Sequence, residues 1–412
     1  MSNRSLIKNL AASADGPVEL SGWVETLRDQ KRIQFVILRD ESGSVQVTYK
    51  REEVDALADT ISSLTTGSFV QVKGNLVHDE RVKLGGIEIQ LHELTITSLA
   101  QPQLPIAEDT SIDQRLDWRF IDHRRPEMNL VFRVQTTLER AWRQYWYEND
   151  FIELHTPKLM GSPSESNAEL FEMEYFELGK AYLAQSPQFY KQMAMMSGLG
   201  RIFEIGPAFR ADPSFTSRHA TEFTSIDMEV SHIESHEDIM AIQEQLLQRG
   251  LQAVKDAHGD EIKALFDVDI VVPTVPFPRI PITDAYKIIA ERGHVHEFVF
   301  VTDYPSTVRP FYHMRHADNP ALTNSYDLIW RGTEITTGAQ REHRIDILVE
   351  QAKQKGLHPE GLKETYLDFF EFGAPTHGGF GMGLARVLML LLHQPNIREV
   401  TYLFRGPTRL IP

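Results

Sequence analysis

The chain has 412 residues, 42% of them apolar and 24% charged, the proportions of an ordinary globular protein with room for two or three domains. It contains no cysteine, which excludes disulfides, a thiolate nucleophile and cysteine-ligated zinc or iron–sulfur centres. The formal net charge of −16 weighs against a nucleic-acid partner unless cations are gathered locally. Met1–Lys8 lacks the apolar segment of a signal peptide and no run approaches the ~20 residues that span a bilayer, so a cytoplasmic protein without membrane contact is expected.

In chain order, five short strands come first: Val18–Thr26, Ile33–Leu38, Ser44–Tyr49, Phe69–Leu76 and Ile87–Ile96. A turn falls at Asp40–Gly43 and a helix at Glu52–Leu64, before the fourth strand. This pattern suggests an OB-fold barrel, whose exposed face commonly takes single-stranded nucleic acid. On its first three strands Arg28, Phe35 and Gln46 would present a cation, a stacking ring and an amide to splayed bases, although Phe35 reads equally as core. Arg28, Lys31, Arg32 and Arg39 supply the local positive patch. Gln101–Pro126, rich in proline and charge, reads as a linker whose arginines make contacts or form a solvated face.

Asn129–Asn149 carries Leu130, Val134, Leu138, Trp142 and Tyr145 at helical spacing and runs into Phe151-Ile-Glu-Leu-His-Thr-Pro157. A loop from Gly161, a hairpin and a helix reaching Lys191 follow. Arg201–Ile205 and Phe223–Val230 alternate as the arms of an antiparallel hairpin. Between and along them lie Arg210, Arg218 and His219, interleaved with Asp212, Glu222, Asp227 and Glu229. A polyanion could rest on such cations while carboxylates hold them in place; the stretch reads equally as an exposed charged hairpin. Ser235–Asp238 is a capping box opening a helix to His258; a strand at Asp267–Val272 and a helix at Asp284–Arg292 come next. Phe298–Thr302 and the block 303–312 have strand character, and Asp327 and Glu334 fall on two strands of one sheet. Finally, His377–Arg386 places four glycines between positions 378 and 383, then enters an apolar helix near Leu384 with Arg386 in its first turn. Such glycines admit a ligand or another strand, and their spacing is not that of a dinucleotide-binding turn.

Taken together, FRAD…RH…EFTSIDME, GGFGMGLAR and FIELHTP resemble the three motifs of the class II aminoacyl-tRNA synthetases. Gln185–Gln192, QSPQFYKQ, and Glu334–Arg341, EITTGAQR, are similar to the aspartyl branch in its compact archaeal-type form. The resemblance covers nearly the whole chain. It implies an α/β (α+β) architecture: an OB-fold anticodon-binding domain at 1–100, a hinge at 101–128, and a catalytic domain at 129–412 with a mainly antiparallel sheet flanked by helices.

The activity the resemblance implies is ATP-dependent, AMP-forming activation of L-aspartate and transfer to tRNA(Asp), with tRNA(Asn) left open, by a homodimer with Pro157 near its two-fold axis. Carried over by motif, Arg210 and Arg386 are catalytic, and ATP is held by Arg210, Asp212, Arg218, His219, Phe223, Glu334, Gly383 and Arg386. Aspartate is held by Glu165, Gln188, Lys191, Arg210, Thr337 and Arg341; Mg²⁺ by Asp327, Glu334 and Thr337; the anticodon by Arg28, Phe35 and Gln46. Lys191 and Arg341 would leave uncompensated buried cations opposite an asparagine amide, which favours aspartate. The alternatives are an asparaginyl-tRNA synthetase, an amidating ligase related to asparagine synthetase, and a catalytically idle RNA-binding paralogue. Departures from the usual motifs stand at Asp212, Ala385 and Ser166-Asn167.

Overall fold

Strict alternation builds the first element. On β2 (Ile33–Asp40) the residues Gln34, Val36 and Leu38 are buried while Ile33, Phe35 and Ile37 turn outward. With β1 (Gly16–Asp29), β3 (Gly43–Lys50), β4 (Phe69–His78) and β5 (Ile87–Ser98) it closes a barrel in the order β1-β2-β3-β5-β4. The helix Ala56–Ser62, capped by Asp55, precedes the fourth strand, as an OB-fold requires. These coordinates are a computed structural model describing residues 5–51, 55–162, 170–293 and 296–412, and they divide into two compact units, 1–129 and 130–412.

The stretch expected to be a linker belongs to the first unit and contains the short helices Ile112–Asp117 and Arg119–Asp122. Its arginines are not a solvated face: Asp122, fully buried, accepts from Arg119 Nη1 at 2.6 Å and pairs with Arg115 at 3.2 Å and Arg125 at 3.5 Å.

In the second unit the strands are β6 (Ile152–Glu153), β7 (Leu159–Met160), β8 (Glu172–Glu174), β9 (Lys180–Leu183), β10 (Arg201–Phe209) and β11 (Glu222–Ser231). They continue with β12 (Arg279–Pro281), β13 (Phe298–Thr302), β14 (Ser325–Trp330), β15 (Thr333–Arg341) and β16 (His377–Gly383). Eight of them form one sheet, ordered β12-β13-β14-β15-β16-β11-β10-β6, antiparallel except at its two edge pairs. One face of it carries Ile226 and Met228 of β11, Phe380 and Met382 of β16, and Tyr326 and Leu328 of β14. That face is covered by the helices Pro126–Glu148 and His236–Phe266.

Three local expectations change. The second covering helix runs past His258 and Gly259 to Phe266, and its last turns still bury Ile262. Residues 267–272 alternate as a strand would, with Val268 and Ile270 buried, but no strand pairs with them. The block 303–312 is an irregular loop with a single turn at Ser306–Val308, since Pro305 and Pro310 have no N–H for a ladder.

The contact between the two covering helices depends on a glycine. A Cβ at Gly250 would lie 2.4 Å from Trp142 Nε1 and 2.8 Å from Leu138 Cδ1, both on fully buried side chains. Gly250→Ala should therefore destabilise the second unit by about 1–3 kcal/mol, despite alanine's better helix propensity, and lower its unfolding midpoint. An unchanged or raised midpoint in denaturant titration would show that the helices can separate at no cost.

Candidate active site

Pairing register carries the site. Across four strands, Asp227, Gly381, Thr337 and Asp327 face one another in one row, and Glu229, Gly379, Ala339 and Ser325 in the next. Side chains in one row share a face, so β16 contributes glycine where β11 contributes carboxylates and β15 contributes Thr337 and Ala339. The consequence is a trough along β16. A Cβ at Gly379 would sit 1.9 Å from Met228 O and 2.3 Å from Glu229 Oε2. That glycine therefore serves close strand and side-chain approach rather than a ligand; Gly383, with its nearest neighbour Arg386 at 3.8 Å, stands at the open end.

A β-bulge between Leu328 and Ile329 of β14 and their β15 partners shifts the pairing so that Ile329 meets Glu334. In an unbroken strand Glu334 and Thr337, three positions apart, would point to opposite faces. The bulge reverses the alternation, and both line the same cavity.

That cavity, about 320 Å³, is walled by Gln188, Lys191, Arg210, Asp212, Arg218, His219, Phe223, Glu334, Thr337, Arg341, Gly383 and Arg386. Residues chosen from stretches far apart in the chain thus meet in one place, and Asp327 joins them by accepting from Thr337 Oγ1 at 2.8 Å. Glu165 and Ser166-Asn167 lie outside the described residues.

One end of the cavity is a buried polar cluster. Lys191 Nζ lies 3.0 Å from Asp227 Oδ1, 3.0 Å from Phe380 O and 3.4 Å from Glu229 Oε2. Arg341 donates through Nε to Glu229 Oε1 at 3.0 Å and through Nη2 to Gly379 O at 3.0 Å. Its Nη1 meets His313 Nε2 at 3.0 Å. Burial alone would raise the Glu229 carboxyl, yet Arg341 and Lys191 hold it below the usual range. Burial and Arg341 push His313 far down, so it is a neutral imidazole that accepts from the guanidinium. The cations expected to be uncompensated are therefore already paired by Asp227 and Glu229. Gln188 holds this floor from below, donating to Gln192 Oε1 at 2.9 Å.

The other end is a concentration of positive charge. Arg210 lies over the Phe223 ring at 5.3 Å, and among the described residues no carboxylate pairs with it or with Arg218. Arg386 donates to the backbone oxygens of Glu334 at 3.0 Å and Arg218 at 3.4 Å, with the Glu334 carboxylate 3.6 Å away. Burial and the nearby Arg210 and Arg218 lower its pKa, against the pull of Glu334. His219 is likewise lowered, by burial and Arg386, so it offers a neutral ring rather than a fourth charge. Like charges held this close favour an anion between them.

Between the two ends stands an oxygen-rich edge of Asp327, Thr337 and Glu334. Partial burial and the Asp327 charge raise the Glu334 carboxyl although its side chain is about half exposed. Two carboxylates in mutual repulsion beside a hydroxyl suit a hard divalent ion that takes its other ligands from phosphate and water. Among the described residues no group of three or more acidic or histidine side chains could hold a metal without such help.

Sequence reasoning missed Arg309, Tyr312 and His313, which also line the cavity. Arg309 and Tyr312 lie in the proline-broken loop misread as a strand, where the signal was a cation and aromatics flanked by prolines, and His313 follows it in an isolated bridge to Arg341.

In the barrel, Arg28, Phe35 and Gln46 line one open groove, with Phe35 opposite Arg28 and Thr48 on the outer face, not in the core. Gln46 Nε2 donates to Glu88 Oε2 at 3.2 Å, leaving the amide oxygen for other partners. Of the expected patch, Arg39 is tied to Glu25, while Arg28, Lys31 and Arg32 are exposed.

A family model described as tRNA synthetases class II (D, K and N) matches residues 111–405, and one described as OB-fold nucleic acid binding domain matches residues 18–97. An aspartate–tRNA(Asp) ligase of Pyrococcus abyssi is 39% identical over 96% of both chains. An aspartate–tRNA(Asp/Asn) ligase of Aeropyrum pernix is 38% identical over 99% of this chain and 98% of that one. Among solved structures, an asparaginyl-tRNA synthetase of Pyrococcus horikoshii with asparaginyl-adenylate aligns over all of both chains at TM-score 0.92 and 28% identity.

The buried carboxylate of Glu229 gives a direct check of the cluster. Glu229→Gln removes the anion shared by Lys191 and Arg341 and should destabilise the second unit by roughly 3–5 kcal/mol at neutral pH. A loss under about 1 kcal/mol in chemical unfolding would mean that the two cations do not depend on it.

Proposed function

The chain belongs to the class II tRNA synthetases of the D, K and N group, and from that membership and its site we infer that it is an aspartate–tRNA ligase. The observation that carries the choice of amino acid is that Lys191 and Arg341 meet at one buried carboxylate and line the cavity beside it. Ammonium and guanidinium groups donate hydrogen bonds and accept none. An aspartate β-carboxylate, which only accepts, matches them; an asparagine amide would turn its own N–H donors toward donors that Asp227 and Glu229 already hold in place. Discrimination then rests on donor facing donor, not on unpaired charge, and such a mismatch in a buried site can exceed about 10⁴.

With the β-carboxylate at this end, the α-carboxylate of aspartate points along the trough toward Arg210. It attacks the α-phosphorus of ATP, a P–O bond forms as the bond to pyrophosphate breaks, and charge grows on the phosphate oxygens. Arg210 answers that charge, Arg218 and Arg386 hold the outer phosphates with His219 as a neutral donor, and Phe223 and Gly383 bound the nucleotide. Asp212 lines the same end. Synthetases of this class use ATP with a divalent metal; we assign Mg²⁺ to Asp327, Glu334 and Thr337, where it would neutralise phosphate charge when bound. The 3′-terminal hydroxyl of tRNA(Asp) then attacks the carbonyl carbon of the adenylate, so that an ester bond to the tRNA forms as the bond to AMP breaks and AMP leaves. Relatives named Asp/Asn make tRNA(Asn) the second acceptor to test, by aminoacylating both purified tRNAs side by side.

The assigned anticodon contacts are Arg28, Phe35 and Gln46, within a domain we place at 1–100, joined through 101–128 to a catalytic domain at 129–412. A homodimer fits the sheet edge: Tyr147, Ile152 and Leu159 leave large apolar side chains exposed beside β6, and Pro157 is exposed among them. Among the described residues no helix is long and apolar enough to cross a membrane.

Two measurements separate the halves of this reading. Lys191→Leu should cut kcat/KM for aspartate in ATP–pyrophosphate exchange about a thousandfold or more while leaving ATP affinity near normal; near-normal exchange would remove Lys191 from the site. Phe35→Ala should weaken tRNA binding about ten- to a hundredfold and leave exchange intact, as loss of one stacked base requires. If tRNA binding is unaffected, the barrel groove is not where the anticodon sits.

A further inference from the structure

Among the described residues, Arg309 is the one cation lining the cavity that takes no part in the proposed reaction. Its side chain is only 10% exposed, its guanidinium lies 3.7 Å from the centre of the Tyr304 ring, and Nη2 stands 2.8 Å from Asp327 Oδ1. Yet neither Nε nor Nη2 has a hydrogen-bond partner among the described residues: the contact with Asp327 is one of charge, with no N–H directed along it. Asp327 Oδ1 already accepts from Thr337 Oγ1 at 2.8 Å. Thus a buried guanidinium, loosely directed, sits on the carboxylate assigned to the metal, next to Glu334 in the same cavity.

A guanidinium and a divalent ion cannot both be close to one carboxylate oxygen without repelling each other, and Arg cannot relieve the conflict by losing its proton. Tyr304 offers the alternative seat, since stacking on its ring survives a shift of the guanidinium away from Asp327.

We propose that Arg309 is a placeholder cation: in the nucleotide-free protein it neutralises Asp327, keeps the metal site weak, and is displaced when a divalent ion enters together with the phosphates of ATP. This rests on the assignment of Asp327, Glu334 and Thr337 to the metal. Its consequence is ordered loading, in which the metal arrives with the nucleotide instead of ahead of it. Arg309 is on this account a positioning residue that acts through Asp327 and never touches the reacting atoms.

The test is direct binding of Mn²⁺, read from the loss of the free-ion electron paramagnetic resonance signal, with and without a non-hydrolysable ATP analogue. Arg309→Gln, which keeps a planar group against Tyr304, should bind Mn²⁺ at least about tenfold tighter than the unaltered protein when no nucleotide is present, the size expected for removing a unit charge near a divalent ion in a water-like dielectric. With the analogue bound the difference should shrink to about threefold or less. Arg309→Lys, which restores the charge, should return nucleotide-free affinity toward the original value and controls for a general loss of structure. Unchanged or weaker nucleotide-free binding in Arg309→Gln, with Glu334→Gln weakened as a ligand loss requires, overturns the placeholder role alone. Equal Mn²⁺ binding in Glu334→Gln and the unaltered protein overturns the metal assignment and this inference with it.

Discussion

A single buried carboxylate sets the terms for the rest of the catalytic unit. Glu229 of β11 is reached by Lys191 from the helix Gln188–Met196 and by Arg341 from β15, so a helix and the two strands flanking β16 are held at one point. Charges buried this deeply are tolerable only if their partners are complete, and here Asp227 and the backbone oxygens of Phe380 and Gly379 finish the set. None of this is sterically open unless residue 379 lacks a side chain. The glycine-rich strand and the ionic cluster are thus one device: β16 gives up its side chains on this face so that its neighbours' charged groups can meet across it.

From that arrangement follows a division of labour along the trough. At the closed end cations and carboxylates are matched, which rigidifies the donors before any substrate arrives and is the condition for choosing between two nearly isosteric side chains. At the open end Arg210, Arg218 and Arg386 remain in excess over carboxylates, which suits a ligand bringing several negative charges. The bulge in the β14–β15 pair adds the oxygen donors at the junction, turning Glu334 to the face its neighbour Thr337 already occupies. The protein's overall acidity does not oppose this, because charge acts through the local field and not through the sum.

Much of this was legible in the amino-acid chain because the relevant signals are periodic. Alternation on β11 separates Ile226 and Met228, which pack in the core, from Asp227 and Glu229, which face the trough, and the barrel strands alternate as clearly. What was not legible depends on pairing partners. Residues 267–272 have the alternation of a strand but no strand pairs with them; Arg309 lies in a loop whose prolines forbid a ladder and whose aromatics mimic one, with His313 just past its end. The pairing of Lys191 and Arg341 was missed for the same reason: that Glu229 lies between them is a matter of register, which no local pattern displays. Likewise the glycines of β16 announce close approach without saying to what.

The account's central claim is that the closed end of the trough reads a side-chain carboxylate and the open end a phosphate. A crystal structure with a non-hydrolysable aspartyl-adenylate analogue tests it most directly. The β-carboxylate should lie within hydrogen-bonding distance of both Lys191 Nζ and the Arg341 guanidinium, with the adenylate phosphate against Arg210. A β-carboxylate found at the Arg218–Arg386 end, or in contact with neither Lys191 nor Arg341, would contradict it.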